Sequence, residues 1–232
     1  MQEFDYAQKQ AEDPLNKHEN RNLRRTTGQL NWFATQTRPD LSYDSLSLSM
    51  ILNKATHKDA KHSLKVVEKA KEDHVKLKFT HLGDIENLHI EVFADASLGG
   101  KEKDFQTKSV MGLFIGLSNE KLDINPLHWK SKVIDKVAED IKTAETLALE
   151  ASIDDAIYLS DMITEVYTGQ SKSDKIIPLV INEDSISLIQ SLYSTKKVKR
   201  KAVRVVILYP VFSNTSKTKE YRIYFMFVLR TK

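Results

Sequence analysis

The chain contains no cysteine, which removes a disulfide framework, a thiol nucleophile and any cysteine-based zinc site. It also lacks an apolar run approaching the roughly 18 residues of a membrane helix, and its first 25 residues are polar and mixed in charge. That pattern predicts a soluble protein with no membrane partner, intracellular and either cytoplasmic or nuclear. No glycine-rich fingerprint for a nucleotide cofactor is present. Charge of one sign is scarce overall: the formal net charge is +3 over 232 residues, compatible with a polyanionic partner without requiring one. With 41% hydrophobic and 29% charged residues, disorder throughout is excluded. The length suits one substantial core, or a core with an appended helical subdomain.

Residues 1–25 show no apolar periodicity and read as a polar tail, partly helical or disordered. Order is expected from about Thr26. Leu30, Phe33 and Ala34, then Leu46, Met50 and Ile51, fall at helical spacing on either side of Pro39. A third helix is expected from Thr56, as its cap, to about Asp73, with Ala60, Leu64, Val67 and Ala70 on one face. Such stripes are ordinary core, and no chemistry is assigned to them.

After Gly83 the period changes from helical to alternating. Leu88, Ile90, Val92 and Ala94 interleave with His89, Glu91, Phe93 and Asp95, the pattern of a strand. Residues 109–117 and 126–132 read as two further strands with short connections, hence an antiparallel meander. A helix of several turns follows over 142–167, with Thr143 as its expected N-cap and a face carrying Glu145, Leu149, Ser152, Ala156, Leu159 and Ile163. The continuous apolar run 176–181 suits a strand buried on both faces, and residues 185–193 look helical. A right-handed crossover most readily sets this strand parallel to the first.

The stretch 90–100, IEVFADASLGG, runs an apolar strand into Asp95. An aspartate where a strand stops is usually only the start of a loop. Asp184, however, stands in the same position after the second buried strand, and the parallel pairing makes the two neighbours. Glu145 heads the helix stripe that must pack on the sheet, where an unpaired charge is costly. Three carboxylates so close repel unless a divalent cation neutralises them, and oxygen-only ligands select Mg²⁺ or Mn²⁺. Two such ions about 3.5 to 4 Å apart can hydrolyse a phosphodiester. Glu183 and Asp104 are acidic and nearby in sequence but are expected to point elsewhere.

These residues resemble a family, the ribonuclease H domain of copia-type retrotransposon Pol polyproteins. The resemblance rests on GQLNWFATQTRPDLSY at 28–43, FADAS at 93–97, HWKSK at 128–132, TAETLAL at 143–149, and DSISL at 184–188 followed by STKKV. Each motif is short; together they keep the family's order over about 170 residues, from roughly Thr26 to Val205. The segment through TRPD resembles the end of the reverse transcriptase part. The resemblance implies a ribonuclease H-like α/β fold, with an antiparallel three-strand meander, a parallel strand and covering helices, preceded by a small helical subdomain. Its boundaries would be a tail at 1–25, a helical reverse transcriptase remnant at 26–83, the nuclease domain at 84–209 and a divergent tail at 210–232. It implies Asp95, Glu145 and Asp184 as the catalytic, metal-holding residues for Mg²⁺ or Mn²⁺, and the RNA strand of an RNA/DNA hybrid as substrate. The remainder of a Pol polyprotein is a further implied partner. Lys130 and Lys132 are candidate phosphate contacts, although solvated strand lysines are commoner.

The sequence departs from the family near its C-terminus. A fourth carboxylate is expected where Val206 stands, and the segment after it no longer resembles the family. Loss of that ligand implies an impaired enzyme. The competing reading is a catalytically silent domesticated fragment that binds nucleic acid or protein through the same fold.

Overall fold

The computed structural model describes residues 11–72, 75–99, 108–170, 177–185 and 188, together with the backbone of 205–209 and 221–226. The chain divides into two compact units, Met1–Leu77 and Lys78–Lys232. Among the described residues no helix is long and apolar enough to cross a membrane.

The first unit is helical. Its helix α1 spans Lys17–Gln36, so the expected polar tail at 1–25 is corrected: order begins well before Thr26. The cause is a capping box at Asn16. The Asn16 side chain accepts the backbone N–H groups of His18 and Glu19 at 3.0 Å each, and the Glu19 carboxylate accepts the Asn16 N–H at 2.9 Å, satisfying donors that the first turn leaves open. Leu23, Thr27, Leu30 and Ala34 then form the buried face.

Pro39 opens a single 3₁₀ turn before α2, Ser42–Ile51. The buried face of α2 is Ser45 and Leu48, following Leu41; of the expected Leu46, Met50 and Ile51, Ile51 packs against this core and Met50 is exposed. Helix α3 spans His57–Glu72. At its expected cap, both the backbone N–H and the hydroxyl of Thr56 donate to Asp59 Oδ2, the returning half of a capping box. The TRPD stretch has a structural role here. Arg38 grips Asp40 with two hydrogen bonds of 2.9 and 2.8 Å and donates a third, of 2.7 Å, to the carbonyl of Ala70 near the end of α3. The guanidinium holds the Asp40 carboxyl below the usual carboxylate range, against the opposing effect of burial.

The second unit is a mixed α/β sheet. Strands β1 (His89–Ser97), β2 (Val110–Ser118) and β3 (Ile124–Val133) form the antiparallel meander. Asn119 closes the turn between the last two, its side-chain oxygen accepting the N–H groups of Lys121 and Asp123. Helix α4, Ile141–Thr168, crosses over and packs chiefly on β1 and β2. Its N-cap is Asp140, not Thr143: Asp140 Oδ1 accepts the Thr143 N–H at 2.6 Å, and a carboxylate suits the positive end of the helix. Gly169 ends the helix with φ 69°, a left-handed conformation that favours glycine.

Strand β4, Leu179–Glu183, lies parallel to β1, with Ile90 opposite Leu179 and Phe93 opposite Asn182. The parallel pairing expected from the crossover rule is therefore present. Strands β5 (Val205–Tyr209) and β6 (Tyr221–Met226) complete the order β3-β2-β1-β4-β6-β5. The sheet thus takes in Tyr221–Met226, part of the segment expected as a divergent tail at 210–232.

The core lies between α4 and one sheet face. Ile90 and Val92 of β1, Ile115 of β2 and Leu179 and Ile181 of β4 meet Ala148 and Ala156 of α4. The helix presents Ala144, Ala148, Ser152, Ala156, Ser160 and Thr164 as buried residues, every fourth position. These small side chains let the helix lie close to the sheet, and the stripe drifts about 40° per step, which follows the sheet's twist. Of the helix expected over 185–193, only Ser185 and Leu188 are among the described residues; Leu188 is buried in this core.

Candidate metal centre

The register of β1 and β4 brings two aspartates level. Phe93 is paired with Asn182, so Asp95 and Asp184, each two residues further along, come to the same end of the sheet. Across β2 the residue opposite Asp95 is Gly112, where even an added Cβ would meet nothing within 4 Å. Gly112 itself brings no side chain against Asp95. Glu145, in the opening turns of α4, reaches over. Its carboxylate accepts a hydrogen bond from the Ala96 backbone, the residue after Asp95. One carboxylate oxygen from each of Asp95, Glu145 and Asp184 lies within 4.8 Å of the other two. The two aspartates are exposed and Glu145 is buried.

The electrostatics are those of crowded like charges. Burial, then the charges of Asp95 and Asp184, push the Glu145 carboxyl up to about 7 from 4.5. Its Oε2 is buried and has no hydrogen-bond partner among the described residues. Such an atom forfeits its hydration without compensation.

Glu183, as expected, is not one of the grouped carboxylates, yet its electrostatics are coupled to theirs. Along β4, Leu179 and Ile181 join the α4-side core, and alternation carries Glu183 to that face. It is 4% exposed. Oε1 accepts the Ser185 N–H at 3.0 Å, while Oε2 is buried without a partner among the described residues. Burial raises its carboxyl to about 7; the Ser185 hydrogen bond opposes this, and Glu145, Asp184 and Asp95 reinforce it. The signal was available in the sequence as the i, i+2 spacing from Ile181. Asp104, the other decoy, lies outside the described residues.

The lysines of HWKSK are engaged within the unit. Lys130 Nζ meets Asp155 Oδ2 of α4 at 2.5 Å, and Lys132 meets Asp135 at 2.6 Å. Neither belongs to the carboxylate group. On β1, Glu91 is fully buried; it meets His89 at 3.0 Å and accepts from Asn182 Nδ2 at 2.5 Å, so its charge is compensated locally.

The chemistry of the donor set fits a hard divalent cation. It offers carboxylate oxygens only, two of them on exposed side chains open to further ligands, and it contains a buried lone pair on Glu145 that a cation would satisfy. Asp95, Glu145 and Asp184 are the residues that could hold such an ion. Comparison of the chain with protein-family models, with curated proteins and with solved structures found no match.

Proposed function

We propose that the second unit is a ribonuclease H-like nuclease module of a retrotransposon Pol polyprotein, hydrolysing the RNA strand of RNA/DNA hybrids with Mg²⁺ or Mn²⁺. The observation that carries this reading is the approach of Asp95, Glu145 and Asp184 within 4.8 Å, from three separate elements. It is supported by the layout: an antiparallel meander, a crossover helix and a parallel strand, in the ribonuclease H order. A divalent ion held there supplies charge neutralisation at the phosphodiester and lowers the pKa of the attacking water. Asp95 and Asp184 offer exposed oxygens on the open side, and Glu145 anchors the buried side through Ala96. Recognition in this reading is by the hybrid's backbone and 2′-hydroxyls rather than by base edges.

Turnover is slow in this reading. Val206, which stands where the fourth carboxylate is expected, pairs with Phe225, Phe225 with Leu179, and Leu179 with Ile90. Asp95 lies five residues beyond Ile90, roughly 16 Å further along the sheet. Cation binding therefore survives better than catalysis. The silent binding module draws its support from the same displacement.

Incubation of the full chain with a labelled RNA/DNA hybrid and Mg²⁺ or Mn²⁺ tests the proposal. Slow, cation-dependent cleavage that disappears when Asp95, Glu145 and Asp184 are replaced together by Asn or Gln is the expected result. Robust cleavage unaffected by that triple replacement would overturn the assignment of residues. Hybrid binding without cleavage, insensitive to cation, would leave the silent module as the function.

A further inference from the structure

We propose that Glu183 is an outer carboxylate of this cation centre, its Oε2 accepting a hydrogen bond from a water of the ion's hydration shell. The inference rests on the metal reading of Asp95, Glu145 and Asp184 and assigns one more residue to it. Glu183 sits at the last position of β4, immediately before Asp184. Its side chain is anchored at one oxygen only, through the Ser185 N–H. The other oxygen is buried and unpartnered among the described residues, as is Oε2 of Glu145, and Glu145 is the strongest like-charge neighbour acting on Glu183.

Buried carboxylate oxygens without a partner, one on Glu145 and one on Glu183, are costly unless a positive charge or a donor meets them. A simple core would carry an apolar residue after Leu179 and Ile181. Glu183 is not among the residues whose oxygens approach within 4.8 Å of one another, which argues against direct ligation. Mg²⁺ and Mn²⁺ retain waters when bound by few carboxylates, and those waters need acceptors. Acceptors in this outer position orient the bound shell and change metal affinity by about 10- to 100-fold when removed. Glu183 is thus a positioning residue, supplying from β4 a negative charge that the strand bearing Val206 does not bring to this end of the sheet.

The test is Mn²⁺ binding by the full chain, followed by electron paramagnetic resonance at about pH 8, for the unmodified protein, Glu183→Gln, Glu183→Met and Asp184→Asn. Glutamine keeps the acceptor for Ser185 but can turn its amide donor toward the water; methionine removes both polar atoms at similar volume and guards against misfolding of the first variant. The expected result is Mn²⁺ affinity reduced about 10- to 100-fold in both Glu183 variants, with the metal's hydration signature altered, and binding lost in Asp184→Asn. Unchanged affinity in the Glu183 variants, with binding still lost in Asp184→Asn, would overturn the role of Glu183 and leave the metal reading standing. Absence of Mn²⁺ binding by the unmodified chain would overturn both.

Discussion

Raising the pH of the cation-free protein from about 5 to about 8 should lower its melting temperature, and Mn²⁺ should reverse the loss. Glu145 and Glu183 release their protons at about 7 in the folded chain, against 4.5 for the ordinary group. The folded state therefore binds more protons than the unfolded one between those values. The associated stability is complete below about 4.5 and is lost as the pH rises through about 7. At about 1.4 kcal/mol per pH unit, one such group represents on the order of 3 kcal/mol. The two carboxyls repel one another, so their effects overlap rather than add; about 3 kcal/mol is the figure for the pair. In a domain of this size that corresponds to a fall of roughly 6–12 °C. Mn²⁺ at about 100 times its dissociation constant should return about 2.7 kcal/mol by mass action. Scanning calorimetry of the full chain, with chelator and with Mn²⁺ across this pH range, measures both effects. His128 acts in the opposite sense, because burial pushes its imidazole down, so the Glu145→Gln, Glu183→Gln double variant is the proper reference. A melting temperature that stays level or rises from pH 5 to 8, with no response to Mn²⁺ and no difference in the double variant, would refute the crowded-carboxylate account.

Four further outcomes are expected. Val206→Asp should leave hybrid cleavage within about twofold of the unmodified chain, since its row of the sheet is that of Ile90; a clear rise in rate would refute the β5 register. Asn182→Leu removes a donor from the buried Glu91 carboxylate and should cost about 2 kcal/mol in urea unfolding of the second unit. Gly116→Ala should cost about 1–3 kcal/mol, because the new Cβ would collide with Ile124 and crowd the Asn125 carbonyl beside the irregularity between β2 and β3. Asn16→Ala should cost about 1 kcal/mol and increase amide exchange in the first turn of α1, a change that circular dichroism and exchange measurements can follow.

Much of the second unit was legible because its signals are periodic. Alternation through 88–95 and the apolar run ending near Ile181 define two strands, and the handedness of a crossover pairs them; with register known, Asp95 and Asp184 fall level without further information. The position of Glu145 followed from its place at the head of the buried stripe. Glu183 stays out of the group as expected; its burial follows from the strand's two-residue period, counted from Ile181. The start of α1 was missed: residues 17–25 have little apolar pattern, yet Asn16 and Glu19 carry the capping spacing that starts the helix. On α4 the expected Leu159 and Ile163 only flank the core, while Ser160 and Thr164 occupy it. Close approach of helix to sheet selects small side chains there, which a hydrophobicity pattern undervalues. The interposition of β6 between β4 and β5 had no local signal, since it depends on which strand best covers an open edge.

That interposition has a consequence for how the molecule is made. β4 is complete at Glu183, but the strand that occupies its free edge begins at Tyr221. At about 5–20 residues per second, the strand leading to Asp184 leaves the ribosome seconds before its neighbour exists. During that interval it presents unpaired amides and carbonyls, the template on which extended chains stack. Any shortened product ending before residue 221 would keep this bare edge permanently. Self-association of such a product would then consume the strand that should deliver Asp184, so that the sheet edge and the approach of the three carboxylates would be lost together through a single missing strand.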